Sequence, residues 1–365
     1  MAGEPASLSL GFGVVGLGMG REHCRAILQV PGARLIGVCD LDQVLLERVS
    51  SEFCCKRYNR FEEMLSDPEV QVVSIATPNG THARLGIEAA RAGKHLVVEK
   101  PLDVSLEAID SLIEAADRAG VKLAGVFQSR FHPLMREIKQ VVESGRLGRI
   151  YGIHGDLFWW RDESYYNAAL GRRRADWDLD GGGALATQGV HTLDLIQWFG
   201  GPVESVFGYM GRFAQAIEAE DKLSCLMRFA SGALASLNVT TVAWPGGGDT
   251  ITIYGEGGTI ATGKNRWTLE LWKLRDDRGG EDEHQMLSRF SPSGQSRAHD
   301  RSLHADVFAD MLQAIREDRA PAVDGRLARV PVELMLAIYQ SCRTGSPVRL
   351  PLAGSGSRSQ PAVRT

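Results

Sequence analysis

Residues 8 to about 130 alternate short β-branched runs with helix-length amphipathic segments, and that rhythm leaves few folds open. The runs are LGFGVV (10–15), ARLIGVC (33–39), VQVVSIA (70–76), HLVVE (95–99) and KLAGVF (122–127), with helices predicted near 21–30, 41–52, 81–92 and 105–119. Strands separated by a helix rather than a tight turn pair in parallel, and a parallel sheet is covered on both faces. This part of the chain therefore reads as an α/β, doubly wound sheet, which binds its ligands outside the carboxyl ends of the strands.

The stretch LGFGVVGLGMG (10–20) opens that pattern with glycines in two overlapping registers. A literal GxGxxG falls on Gly11, Gly13 and Gly16, but it leaves only ASLSL as the strand before it and starts the helix with GLGMG, a poor opening. Turning at Gly16, Gly18 and Gly20 keeps LGFGVV as a buried strand and makes REHCRAILQV the helix, whose N-terminal amides suit a pyrophosphate. Asp40 closes the second strand, where a carboxylate hydrogen-bonds an adenosine ribose 2′-hydroxyl and repels a 2′-phosphate. Glycine turns also occur without nucleotides, and Asp40 could simply cap the helix from Leu41. Strand, turn, helix and spaced acid together favour an NAD site at Gly16, Gly18, Met19, Gly20 and Asp40, with NAD preferred over NADP.

After a helix near 133–144 the pattern changes to longer strands, among them IYGIHGDLFW, VESVFGYMGRF and DTITIYGEGGTI, interrupted by one helical stretch (184–199). These predict a C-terminal α/β domain with a large, mostly antiparallel open sheet, and two late helices (304–317 and 329–343) packing back across it. The expected division is 1–131, 132–350 and a flexible tail, 351–365, while the polar segment 274–300 is expected to be exposed or disordered. Charged residues make up 24% and the net charge is −4, which argues against a nucleic-acid partner or an anionic membrane surface. The N-terminus lacks a basic n-region, no apolar run approaches a membrane span, and the six cysteines show no CxxC pair, so a reduced, cytoplasmic setting is expected.

Four further segments are informative: ATPNGTHA (76–83), GKHLVVEKPL (93–102), GVFQSRFHP (125–133) and LDGGGALATQGVHTLDLIQWFGG (179–201). In this order the chain resembles the Gfo/Idh/MocA family of glucose-fructose oxidoreductase and inositol dehydrogenase, over nearly its whole length, including PAVDGRLARVPVELMLAIYQSCRTGSPVRLPL (321–352). The resemblance implies a Rossmann domain, a C-terminal domain that commonly packs in homodimers or homotetramers, and NAD(P)-dependent redox chemistry on sugars or cyclitols. Asn79 and His82, in a loop after a strand end, are candidate contacts to the nicotinamide side of the cofactor, as are Glu99 and Gln128, with Thr77 and Lys100 also counted as cofactor contacts; the alternative for the loop residues is turn capping.

The chemistry of these residues can be argued separately. Lys100 follows a strand end at the carboxyl edge, where an ammonium can hold the reacting oxygen and partial burial lowers its pKa toward acid–base use. His191 and Asp194, three apart on a helix, share a face with Thr187, and histidine is the natural proton acceptor near neutral pH. An HxxD pair is also half of a metal site, but no second ligand pair with metal spacing stands out, so no metal is expected. Several family members carry Asp where this chain has Thr187; a hydroxyl cannot support an imidazolium as a carboxylate does. Either His191 leans on Asp194 or Lys100 carries more of the proton transfer. The wording around Thr187 is closer to branches with Asn or Thr there, some of which act on nucleotide-linked sugars. Arg130, Tyr165, Tyr166, Arg172, Trp177 and Thr187 are candidates for a sugar pocket, although the run Arg172–Arg174 also fits a solvated or interface patch.

The expectation is hydride transfer between NAD and a secondary hydroxyl or ketone of a sugar, cyclitol or sugar derivative. The alternatives are an NAD-dependent glycoside hydrolase, whose YPTHG wording this chain lacks, and a non-catalytic NAD(H)-binding regulator, against which Lys100, His191 and Asp194 weigh.

Overall fold

The computed structural model describes residues 9–167, 174–291 and 302–352. Strand β1 (Leu10–Val15) is buried along its length, as a strand covered on both faces must be, and one glycine leads it into α1 (Leu17–Leu28). There follow β2 (Ala33–Cys39), α2 (Gln43–Glu52), β3 (Lys56–Tyr58), α3 (Phe61–Ser66), β4 (Val72–Ile75), α4 (His82–Arg91), β5 (His95–Val98), α5 (Leu106–Ala119), β6 (Leu123–Gly125) and α6 (Pro133–Glu143). The six strands form a parallel sheet ordered β3-β2-β1-β4-β5-β6. The order reverses between β1 and β4, the switch point at which a crevice opens. At its rim Val15, Cys39, Ile75, Val98 and Gly125 stand side by side.

The structure corrects the sequence reading of this sheet at two points. The first helix starts at Leu17 rather than near 21, so Gly18 and Gly20 lie in its first turn and Gly16 alone makes the bend, at φ 84°. A Cβ on Gly20 would sit 2.9 Å from Val14, so that glycine lets helix and strand touch. The sheet also gains β3, whose sequence KRY exposes both basic residues and buries only Tyr58. A three-residue edge strand has no apolar period to detect.

The chain then continues through β7 (Ile150–Phe158), the short α7 (Glu163–Tyr166), and a π-helical turn (Leu185–Gly189) that runs into α8 (Val190–Gly200). After these come β8 (Val203–Gly211), β9 (Lys222–Phe229), β10 (Leu234–Thr240), β11 (Gly248–Gly255), β12 (Gly258–Thr262), β13 (Leu269–Leu274), α9 (Glu281–Phe290), α10 (Leu303–Arg316), α11 (Gly325–Thr344) and β14 (Val348–Arg349). The strands make an eight-stranded sheet, β13-β12-β11-β7-β10-β9-β8-β14, antiparallel except for β7 beside β10. Buried and open positions alternate along β9, so one face packs on helices while the other shows Tyr209, Leu226 and Leu234.

Segment 274–300 is not uniformly exposed: α9 folds back on β13 and buries Met286 and Phe290, whereas 292–301 and 353–365 lie outside the described residues. The sequence sets both late helices on the second sheet, and the structure does so only for α11. Helix α10 instead lies beside α1 on the first sheet, where Phe308 meets Phe12 at 5.8 Å, and α11 runs from β6 and α5 to β8. On the first sheet α10 shares with α1 the covering of that face, which a parallel sheet requires. Among the described residues no helix is long and apolar enough to cross a membrane.

Candidate active site

The nucleotide end of the crevice is set by main-chain geometry. Val15 ends β1, Gly16 turns, and the N-terminus of α1 faces outward, with Met19 half exposed and nothing within 4 Å of where a Gly18 Cβ would be. Asp40 Oδ2 accepts the Leu17 amide at 2.6 Å, and its Oδ1 accepts that of Asp42 at 2.8 Å. The carboxylate thus ties the ends of β1 and β2 together. Helix α2 is capped by Asp42, not Asp40.

Past β4 the loop is braced from within. His82 is fully buried, its Nδ1 2.8 Å from the Pro101 carbonyl and its Nε2 2.7 Å from that of Thr77. Both nitrogens are therefore taken by main chain, and His82 is corrected from a cofactor contact to a brace between two loops. Thr77 pairs through its hydroxyl with Thr81, and Asn79 donates to the Asp180 carbonyl at 2.8 Å, bridging to the segment before the π turn. Glu99 is buried beneath the rim: Oε2 accepts the Lys100 amide at 2.9 Å and Oε1 meets His23 Nε2 at 3.0 Å. Its oxygens serve the protein rather than the expected cofactor contact.

Lys100 reaches across the crevice. Its Nζ donates to the Thr187 carbonyl at 2.9 Å, one helical turn before His191. Burial lowers the Lys100 pKa, Glu99 opposes that, and the nearby Arg174 and Arg266 add to it. His191 is held well below the usual histidine range by burial first, then by the charges of Lys100 and Arg266. Its Nδ1 is buried without a hydrogen-bond partner, and its ring meets Phe127 edge-on at 6.3 Å. The Oε1 of neighbouring Gln128 is likewise buried and unpartnered. Such orphaned groups are rare in a folded core and mark places where a water or a ligand can supply the missing partner.

The carboxylate expected beside His191 is elsewhere. Asp194 is fully buried and gripped by Arg130 through two bonds, Nε to Oδ2 at 2.9 Å and Nη2 to Oδ1 at 2.6 Å. That forked geometry turns Asp194 to Arg130 rather than to His191, so the expected pairing of Asp194 with His191 is corrected, while Arg130 keeps Nη1 outside the fork. A second buried pair, Arg266 with Asp249 at 3.0 Å, adjoins Thr192 on the same helix.

The π turn is held by residues that motif reading missed. Glu220 accepts the amides of Gly183 at 2.9 Å and Leu185 at 2.8 Å, and the Tyr339 hydroxyl donates to it at 2.9 Å. The Thr187 hydroxyl donates to Gly183, which makes it part of the turn rather than a free substrate contact. Glu220 and Arg266 lie outside the quoted segments, and the one signal for them and for Tyr339 is a charge or hydroxyl inside an apolar pattern.

On the wall facing the nucleotide sheet Arg161 stacks over Trp159 at 4.7 Å and over Tyr165 at 5.0 Å, and Arg174 lies over the same Tyr165 ring at 5.2 Å. Neither guanidinium has an ion-pair partner among the described residues, and Arg161 Nε is buried without a hydrogen bond. Gln188 bridges Arg161 and the Tyr165 hydroxyl. Tyr166 is buried on Thr241, and Trp177 packs against Tyr339 and beneath Arg343, so both are corrected to packing residues. Arg172 lies outside the described residues.

Comparison with known proteins agrees with this geometry. Residues 10–127 match the oxidoreductase family with an NAD-binding Rossmann fold, and 135–261 match the GFO/IDH/MocA C-terminal domain. The crystal structure of the WlbA dehydrogenase from Bordetella pertussis, in complex with NADH and UDP-GlcNAcA, is 34% identical over 94% of this chain and 99% of that one, with a TM-score of 0.84. The scyllo-inositol 2-dehydrogenase (NAD(+)) of Bacillus subtilis is 28% identical over 92% of this chain and 95% of its own length. A doubly wound nucleotide sheet, an open second sheet and dehydrogenase relatives along the full length lead to one conclusion: the chain belongs to the GFO/IDH/MocA family of NAD-binding oxidoreductases.

Proposed function

We propose that the chain is an NAD-dependent dehydrogenase that oxidises a secondary hydroxyl of a nucleotide-linked sugar bearing a carboxylate. One observation carries the reading: Lys100 Nζ donates to the Thr187 carbonyl one helical turn before His191, whose pKa the Lys100 charge helps to lower and whose buried Nδ1 has no hydrogen-bond partner. The residues at the crevice fit NAD. Helix α1 has no side-chain cap and no acid in its first turn, so beyond the Leu17 amide its N-terminus is free for a pyrophosphate. Asp40 keeps lone pairs for a ribose hydroxyl, and the exposed Leu41 and Val44 offer an apolar flank for adenine.

When bound, NAD supplies the hydride acceptor. The protein orients the substrate and handles charge. Lys100 Nζ exchanges the Thr187 carbonyl for the substrate oxygen and stabilises the alkoxide as it forms. His191, kept neutral by burial and neighbouring cations, accepts the hydroxyl proton at Nδ1. Arg161 and Arg174 frame Tyr165 without an ion-pair partner among the described residues, which suits a ligand that brings carboxylate or phosphate. The complex of the WlbA relative with UDP-GlcNAcA supports the same class. The open face with Tyr209, Leu226 and Leu234 supports pairing with a second copy.

A panel of NAD with UDP-GlcNAcA, free uronic acids, neutral sugars and inositols tests the substrate class by NADH formation. UDP-GlcNAcA should give the highest kcat/KM. A higher value for an inositol or neutral sugar overturns the class.

A further inference from the structure

Beneath the crevice three side chains from separate elements converge: His23 of α1, Glu99 after β5 and His304 of α10. Glu99 divides its oxygens. Oε2 is held by the Lys100 amide, while Oε1 faces both imidazoles, 3.0 Å from His23 Nε2 and 3.8 Å from His304 Nε2. All three ligand atoms lie within 4.8 Å of one another. Four-coordinate zinc holds nitrogen and oxygen at about 2.0–2.1 Å, which sets ligand atoms roughly 3.3 Å apart, and the two measured edges straddle that value.

We propose that His23, Glu99 and His304 form a binding site for one Zn2+ ion. Two imidazoles and a carboxylate suit a borderline divalent cation, and they leave a fourth position for water. His304, its side chain 22% exposed, gives the ion a way in, while His23 is fully enclosed. The outer contacts match what metal-bound histidines use. Ser74 Oγ lies 2.7 Å from His23 Nδ1, and Phe308 packs edge-on to that ring at 5.4 Å. With the ion bound, the single ring proton of His23 resides on Nδ1 and Ser74 accepts it. The ion would pin α10 to the nucleotide sheet, joining segments from opposite ends of the chain.

The metal-free protein should take up one equivalent of Co2+ with the visible bands of a four-coordinate ion, and Zn2+ should displace it and raise the melting temperature. X-ray absorption should find nitrogen and oxygen at about 2.0–2.1 Å and no sulfur near 2.3 Å. His304→Ala should weaken uptake by roughly 100-fold or more while the metal-free protein still melts cooperatively; His304→Gln repeats the measurement should alanine not fold. No uptake, a sulfur shell, or uptake unchanged in the folded variant overturns the site.

Discussion

The two walls of the crevice are built on different terms. On the nucleotide wall, Gly16, Asp40 and Lys100 stand at strand ends, and the pairing register of a parallel sheet carries them to one rim. On the sugar wall, a π turn, α8 and the stacked arginines meet, and each side chain depends on a partner from a distant segment: Arg130 on Asp194, Glu220 on Tyr339, Arg266 on Asp249. Strand ends converge by topology, whereas helix faces converge by packing. The first wall should therefore tolerate a lost side chain with its fold intact, and the second should not.

The strongest test of that contrast is Lys100→Ala. Turnover should fall by about 10²–10⁴-fold with NAD affinity near wild type, because the change removes charge from the reacting oxygen and leaves the cradle alone. Loss of NAD binding in proportion would break the division between the walls. Next in size, Arg130→Met should lower the unfolding free energy by about 3–5 kcal/mol in urea titration, since it strands a buried carboxylate, and Asp194→Leu in the same chain should restore much of it. An effect on KM without loss of stability would return Arg130 to the substrate. Asp40→Asn keeps an acceptor for the Leu17 amide but drops the charge, so the NAD over NADP preference should fall by about tenfold; an unchanged ratio removes Asp40 from the ribose.

The smallest effect is in pH. His82 and His191 are buried with lowered pKa values, chiefly through burial, so below about pH 6.5 the unfolded chain binds protons that the native one does not. The stability held above that pH declines below it. Chemical denaturation series at pH 7.5 and 6 measure it, and a flat profile would mean that these rings are accessible or already charged.

The same contrast explains what was legible in the sequence. Periodicity and turn residues fix strand ends, so the glycine turn, Asp40 and Lys100 could be placed from spacing, with only the start of α1 misjudged by a few residues. Spacing on α8 correctly puts His191 and Asp194 on one helix, but a heptad-like interval says nothing of Arg130, which waits 64 positions upstream. Tyr166 and Trp177 resemble pocket residues by type, and only packing shows them turned to Thr241 and Tyr339. His82 is a further case: polarity in a loop suggested a ligand contact, and two carbonyls claimed it.

Helix α11 has a mechanical consequence. Its 20 residues extend about 30 Å, with one end on β6 and α5 and the other against β8. A rod clamped at both ends resists hinge bending between the two sheets. Any change in the gap where Lys100 meets the π turn would therefore require α11 to bend, as at its internal Pro331, or to release one of its ends.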